Sequence, residues 1–256
     1  MIFTADLDRT LIFSRGRLTE SPAVVPAEYR LGEPYGFMTP GALAALRQLQ
    51  KKVLFLPNTM RGVEQARRVV FVGDGSCPYL AAQNGLYLLH NGELDREWSR
   101  RVAAVVHGLP LSLSDGVGQV LSGLPGIQCL SKQYEYLAVF FVEADAFDDE
   151  ACRQLAEELA RLGWSLVRQC KKLYLFPADI DKGAVLAYVM EREEDDHTVG
   201  FGDSGFDLPM LRACGTAWSL AGCELEGGQW GFPIRFSRAP AQAGTEEVLT
   251  DLLHAL

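Results

Sequence analysis

The stretch Ile2-Phe3-Thr4-Ala5-Asp6-Leu7-Asp8-Arg9-Thr10-Leu11 decides how this chain reads. Residues 2–5 are apolar or β-branched and predict a short buried strand. Two carboxylates, Asp6 and Asp8, follow it with a single residue between them. A solvated acidic turn accounts for such a pair when it stands alone. At the carboxyl end of a strand in an open parallel sheet, however, the same pair lies where ligands bind.

Working outward, the chain builds such a sheet. Thr39-Pro40 opens a helix, with Thr a good N-cap and Pro tolerated at the first helical position. Leu43, Leu46 and Leu49 give that helix an apolar stripe. Residues 53–56 form an apolar strand that ends at Pro57-Asn58-Thr59, a helix is predicted over 63–70, and 79–82 is a further buried strand. Strand and helix alternate as in parallel βαβ units. Residues 14–37 are rich in Pro and Gly and predict a long loop or flap.

The texture changes after Asn84-Gly85. A hairpin around Asn91-Gly92 comes first, then a helix from near Ser99 and a strand over 136–143. An amphipathic helix over 148–162 and paired strands at 164–168 and 172–176 complete the segment. The parallel pattern resumes with a helix over 183–192, a strand over 198–201, a short helix over 207–213, strands at 216–220 and 234–237, and a closing helix over 246–256. The prediction is an α/β, Rossmann-like parallel-sheet core formed by residues 1–85 and 178–256. An inserted α+β domain occupies residues 86–177.

Composition narrows the function classes. The 256 residues carry 24 Lys and Arg against 33 Asp and Glu, a net charge of −9. That balance excludes a broad nucleic-acid-binding face. The six cysteines are scattered without a Cys-x-x-Cys pair, and no histidine cluster lies beside them, which argues for free thiols rather than zinc or disulfides. No segment is apolar and long enough to span a membrane, and the N-terminus does not read as a signal peptide. The expected location is the cytoplasm, with no nucleic-acid or membrane partner; the pattern carries no signal for oligomeric state.

Four further residues stand near the ends of predicted elements. Thr59 closes one apolar strand. Asp203 and Asp207 follow another, although Asp207 also reads as a simple helix N-cap. Lys182 precedes the helix that returns the chain to the core.

Together these residues resemble the motifs of the haloacid-dehalogenase-like hydrolase superfamily, in its Cof-type and sucrose-phosphate-phosphatase-like branch with a class IIB cap. Asp6-Leu7-Asp8-Arg9-Thr10 is similar to the family's Asp-x-Asp-x-Thr, and Thr59-Met60-Arg61 to its Thr-x-Arg. Asn84-Gly85 is similar to the Asn-Gly before the cap, and Asp181-Lys182-Gly183 to the Lys-Gly before a helix. The run Gly202-Asp203-Ser204-Gly205-Phe206-Asp207-Leu208-Pro209-Met210-Leu211 is very like Gly-Asp-Ser-x-Asn-Asp-x-x-Met-Leu. The 123 positions from Thr59 to Lys182 place the insertion between the second and third motifs.

The resemblance implies a Mg2+-dependent phosphoric monoester hydrolase acting on small phosphorylated metabolites, sugar phosphates or phospho-acids. Asp6 would be the nucleophile, Asp8 the general acid and base, and Thr59 and Lys182 would bind the phosphoryl group. Asp6, Asp203 and the backbone carbonyl of Asp8 would hold Mg2+, with Asp207 holding a metal-bound water or orienting Lys182. Thr10 and Arg61 are assigned to substrate binding, as are the cap cations Arg168 and Lys172. A phosphotransferase of phosphomannomutase type and a non-catalytic regulatory protein are the alternatives. Two positions depart from the family pattern. Arg9 replaces a glycine, and its guanidinium is expected to point outward. Phe206 replaces an asparagine that supplies a hydrogen bond near the metal.

Overall fold

The strand Ile2–Ala5 lies inside a five-stranded, all-parallel sheet in the order Arg235–Pro240, Thr216–Ala221, Thr198–Phe201, Ile2–Ala5, Leu54–Pro57. The computed structural model describes all 256 residues. The two ladders flanking Ile2–Ala5 share a register, with Ala5 opposite both Phe201 and Pro57. Asp6, Gly202-Asp203 and Asn58-Thr59 therefore leave the sheet side by side. The amide of Asp6 donates to Phe201 O at 3.0 Å, and that of Asn58 to Ala5 O at 2.9 Å. All four residues of Ile2–Ala5 are buried, as expected for an interior strand covered on both faces. Phe3 stacks on Phe55 at 5.3 Å between ring centroids in the core beneath.

The helix Pro40–Leu49 starts as expected, with the Thr39 hydroxyl accepting from the Ala42 amide at 3.0 Å. The helices Lys182–Glu193 and Ala241–His254 complete the layers beside the sheet.

Residues 14–37 correct the sequence expectation. Instead of a loop, Phe13–Ser14, Glu33–Met38 and Val25–Arg30 form a three-stranded antiparallel sheet. The hairpin turns at Leu31-Gly32, both with positive φ (53° and 85°), the backbone of a two-residue hairpin turn. Pro26 and Pro34 lie within its strands, where register shifts accommodate them, and these prolines hide the alternation from a reading of the sequence.

The chain divides into two compact units, Met1–Ser99 with Asp181–Leu256, and Arg100–Ile180. Residues 86–99, which the sequence reading puts in the insertion, belong to the first. Tyr87–His90 pairs with Tyr79–Ala82, and the Trp98 indole donates to Gly85 O at 2.7 Å.

The second unit is an antiparallel sheet in the order Trp164–Gln169, Lys172–Pro177, Ala138–Val142, Ile127–Gln133, with helices Leu113–Gly123 and Asp149–Arg161. Its core includes Val120, Phe140, Leu159, Trp164, Leu173 and Leu175. No helix of the chain is long and apolar enough to cross a membrane, and all six cysteines are free.

Gly85 ties the fold to the residues that matter below. Its φ is +87°, and a Cβ there would stand 2.4 Å from the carbonyl oxygen of Asp181, next to Lys182. Gly85→Ala should destabilise the protein by about 1–3 kcal/mol through backbone strain and displacement of that carbonyl. A lowered thermal midpoint checks this; an unchanged one contradicts the close approach.

Candidate active site

The shared register brings three carboxylates and one ammonium group together. Lys182, 1% exposed, donates from Nζ to Asp6 Oδ1 and to Asp207 Oδ1, each at 2.6 Å. Its place is fixed by the helix it opens. Asp181 caps that helix, accepting from the amides of Gly183 and Ala184 at 2.8 Å, and Asn58 Nδ2 donates to Lys182 O at 2.9 Å. Gly183 lets the helix approach the Asp203–Leu211 segment, since a Cβ there would stand 2.7 Å from Pro209 O.

Asp207 is fully buried and its second oxygen is saturated. Oδ2 accepts from the amides of Asp203 and Ser204 and from the Ser204 hydroxyl, all at 3.0 Å. These bonds fold the Gly202–Asp207 turn and aim the remaining oxygen at Lys182. Asp207 is thus an orienting group for the lysine; as the N-cap of the helix Leu208–Ala213 it makes no side-chain bond to that helix, its contacts running back to the preceding turn.

Asp6 and Asp203 retain more acceptor capacity. The Thr10 hydroxyl donates to Asp203 Oδ1 at 3.1 Å, and Arg9 Nε lies 3.3 Å from Oδ2. Thr10 is thereby a partner of Asp203, and its carbonyl accepts from the Thr245 hydroxyl at 2.6 Å. The expectation that Arg9 points outward is corrected: the turn it occupies directs its guanidinium toward Asp203. Phe206 is buried, an apolar side chain within the Asp203–Asp207 turn.

Asp6, Asp203 and Asp207 offer oxygens that all lie within 4.8 Å of one another, and all three residues are buried. An all-oxygen, carboxylate-rich set with no sulfur or imidazole fits a hard divalent cation.

The electrostatics agree. Burial pushes the Asp6 carboxyl up to about 7; Lys182 opposes the shift, and the negative charges of Asp207 and Asp8 add to it. Burial likewise pushes Asp203 up to about 8, with Asp207 and Asp6 adding repulsion and Arg9 and Thr10 opposing it. Burial works against the charge of Lys182, but Asp207 and Asp6 outweigh it and hold its pKa above the ordinary lysine value. The lysine is an ammonium in a cluster whose negative charge it does not fully neutralise.

Asp8 is set apart from this cluster. Its side chain is about half exposed and is gripped by Arg61, with Nε to Oδ2 and Nη2 to Oδ1 both at 2.6 Å. The Arg61 Nη2 also donates to Glu28 Oε2 at 2.9 Å. Glu28 is fully buried and takes a second arginine, Arg68, at 3.0 Å. Burial opposes the charge of Arg61, yet these contacts hold its pKa above the ordinary arginine value. Arg61, assigned to substrate binding from the sequence, bonds Asp8 and Glu28 in this structure. Thr59 accepts from the Arg61 amide at 3.2 Å, leaving its hydroxyl proton available to a ligand.

The two insertion cations are not brought together. Arg168 lies opposite Leu173 and shares the face that carries the unit's core. Its guanidinium bonds Asp149 at 2.6 Å and stacks 4.5 Å above the Phe147 ring. Lys172, opposite Phe141, is exposed on the other face. Successive strand residues alternate faces, so these two cannot serve one site from one face. The sequence reading missed Glu28 because it lies in the segment read as a loop. It also missed Asn58, whose only signal was its place beside Thr59 at a strand end.

No family model matches the chain, and no curated protein matches it. Solved structures do. The sucrose-phosphatase from Synechocystis sp. PCC6803, determined with sucrose and phosphate, matches at TM-score 0.71 and 15% identity over 98% of this chain and 97% of that one. A haloacid-dehalogenase-superfamily phosphatase from Bacteroides thetaiotaomicron matches at TM-score 0.62 and 16% identity, covering 99% and 94%. A sugar phosphatase of subclass IIB in that superfamily matches at TM-score 0.64 and 12% identity, covering 98% of each chain. The chain has the fold of the haloacid-dehalogenase-like phosphatases, as the motif resemblance implies, with the expected Rossmann-like parallel core and α+β insertion.

The raised carboxyl pKa values fix a sign. In metal-free protein the folded state holds protons on Asp6 and Asp203 that the unfolded chain releases near pH 4. Their contribution to stability is full below about pH 4 and is lost as pH rises through about 7 and 8. A divalent ion must displace those protons, so its stabilising effect grows over the same window. The melting midpoint of chelated protein should therefore fall between about pH 5 and about pH 8.5 by more than that of Asp203→Asn, and added Mg2+ should restore most at the alkaline end. A Mg2+ effect independent of pH contradicts this.

Proposed function

We propose that the protein is a Mg2+-dependent phosphatase of small phosphorylated metabolites, sugar phosphates or phospho-acids, working through an aspartyl-phosphate on Asp6. The observation that carries this reading is the buried Asp6 carboxylate at the carboxyl end of the interior strand Ile2–Ala5, fixed by Lys182 at 2.6 Å and set among further buried carboxylates. The shared fold with phosphatases supports it.

Asp6, Asp203 and the carbonyl of Asp8 would hold Mg2+. When bound, the ion would neutralise charge on the carboxylates and on the phosphoryl oxygens, whose repulsion otherwise keeps a nucleophile away.

The chain's own residues then divide the work. An Asp6 oxygen forms a bond to phosphorus as the bond from phosphorus to the leaving oxygen breaks, and the electron pair departs with that oxygen. Asp8 delivers a proton to it. In the second half Asp8 takes a proton from water as the water oxygen attacks phosphorus, and the Asp6 carboxylate is released with inorganic phosphate. Lys182 favours the ionised form of Asp6 against the effect of burial and carries positive charge beside the transferring group. Thr59 donates its hydroxyl to a phosphoryl oxygen. Arg61 aims the Asp8 carboxyl, and proton uptake there loosens part of the two-pronged contact. Residues 86–177, or the compact unit Arg100–Ile180 that overlaps most of them, would act as a cap that selects the leaving group.

Phosphate release from a generic aryl phosphate tests the reading. It should vanish in excess chelator and return with Mg2+. Asp6→Asn should release none, while Asp8→Asn should lose about 10²–10⁴-fold on an unactivated alkyl ester and less on the aryl ester, whose leaving group needs no proton. Full activity in chelator, or an active Asp6→Asn, contradicts the proposal.

A further inference from the structure

Arg9 stands at φ 62°, a left-handed backbone that glycine adopts without strain and an arginine does not. The turn imposes it. The Arg9 amide donates to Ile12 O at 2.8 Å, and the amides of Leu11 and Ile12 both donate to Leu7 O. The side chain held in this unfavourable position does not drift into solvent. Its Nε lies 3.3 Å from Oδ2 of the buried Asp203. A strained residue whose charged end meets a site carboxylate marks a functional constraint.

The other oxygen of Asp203 accepts from the Thr10 hydroxyl at 3.1 Å. Each carboxylate oxygen has two lone-pair positions, so that hydroxyl and a metal ion can share Asp203. A guanidinium and a divalent cation on the same carboxylate repel each other, and at a buried group water screens them poorly.

We propose that Arg9 is a resident cation of the metal-free site: its guanidinium occupies the Asp203 carboxyl until Mg2+ displaces it, so this chain binds Mg2+ more weakly than the same chain without charge at position 9. A cavity of about 250 Å³ adjoins the contact and is lined by Arg9, Phe13, Arg17, Asp203, Gly222 and Glu224, among others. It gives the displaced guanidinium a second position, with the Glu224 carboxylate in its wall. This inference rests on the reading of the acidic triad as a Mg2+ site.

The test is a Mg2+ titration of the chelator-stripped, full-length protein, followed by calorimetry and by thermal midpoint. Wild type is compared with Arg9→Gly, Arg9→Asn and Arg9→Lys. Glycine and asparagine both accept the left-handed backbone and carry no charge, so two uncharged variants guard against one that fails to fold. Half-saturating Mg2+ should fall by about three- to tenfold in both, with Arg9→Lys keeping the weaker affinity. Uncharged variants that bind Mg2+ no more tightly than wild type overturn the inference while leaving the metal site in place. Wild type that binds no Mg2+ by either readout overturns the metal site itself, and the inference with it.

Discussion

Everything in the candidate site turns on one buried ammonium group. Lys182 is held by Asp6 and Asp207 at equal distances, out of reach of bulk water. Breaking a buried ion pair by removing one partner strands a charge and costs about 3–5 kcal/mol. The surroundings of Lys182 accordingly leave it little freedom. Asp181 caps its helix, Asn58 anchors its carbonyl, and Gly183 admits the neighbouring backbone. Asp207 in turn is pinned by three donors from its own turn. The fold places an acid-rich turn and a lysine-bearing helix at the same sheet edge, and the ionic contacts then set their side chains.

A second ionic system, separate in its partners, controls Asp8. Glu28 is fully buried and holds two arginines; one of them, Arg61, grips Asp8. The antiparallel sheet of residues 13–38 therefore reaches the Asp8 carboxyl through the Arg61 guanidinium. The two aspartates of that turn differ in kind as a result. Asp6 faces an ammonium in a buried cluster, and Asp8 faces a guanidinium at a half-exposed position. This difference is the structural basis for giving one the role of nucleophile and the other that of proton carrier.

Much of this is legible in the sequence, for physical reasons. Short, mostly apolar runs such as Thr198–Phe201, too short for helices and alternating with helical segments, read as buried strands of a parallel core. Acids just past such strands have few structural uses. What the sequence hides is equally specific. The helix Leu113–Gly123 contains three glycines and the strand Ile127–Gln133 is a polar edge, so neither shows a clean period. Glu28 is lost in a segment whose prolines suggest a loop. The directions of Arg9, Arg61 and Arg168 depend on which carboxylate or ring lies within reach, a tertiary fact that composition and spacing do not encode.

The central claim is that the Lys182 clasp exists to present Asp6 to phosphorus. Acid-quenching wild-type protein during Mg2+-supported turnover of an aryl phosphate, then mapping phosphoryl adducts by peptide mass spectrometry, tests it most directly. The account predicts an adduct on Asp6 and none on Asp8, Asp203 or Asp207. Turnover with no adduct on Asp6, or with the phosphoryl group on another aspartate, would contradict it.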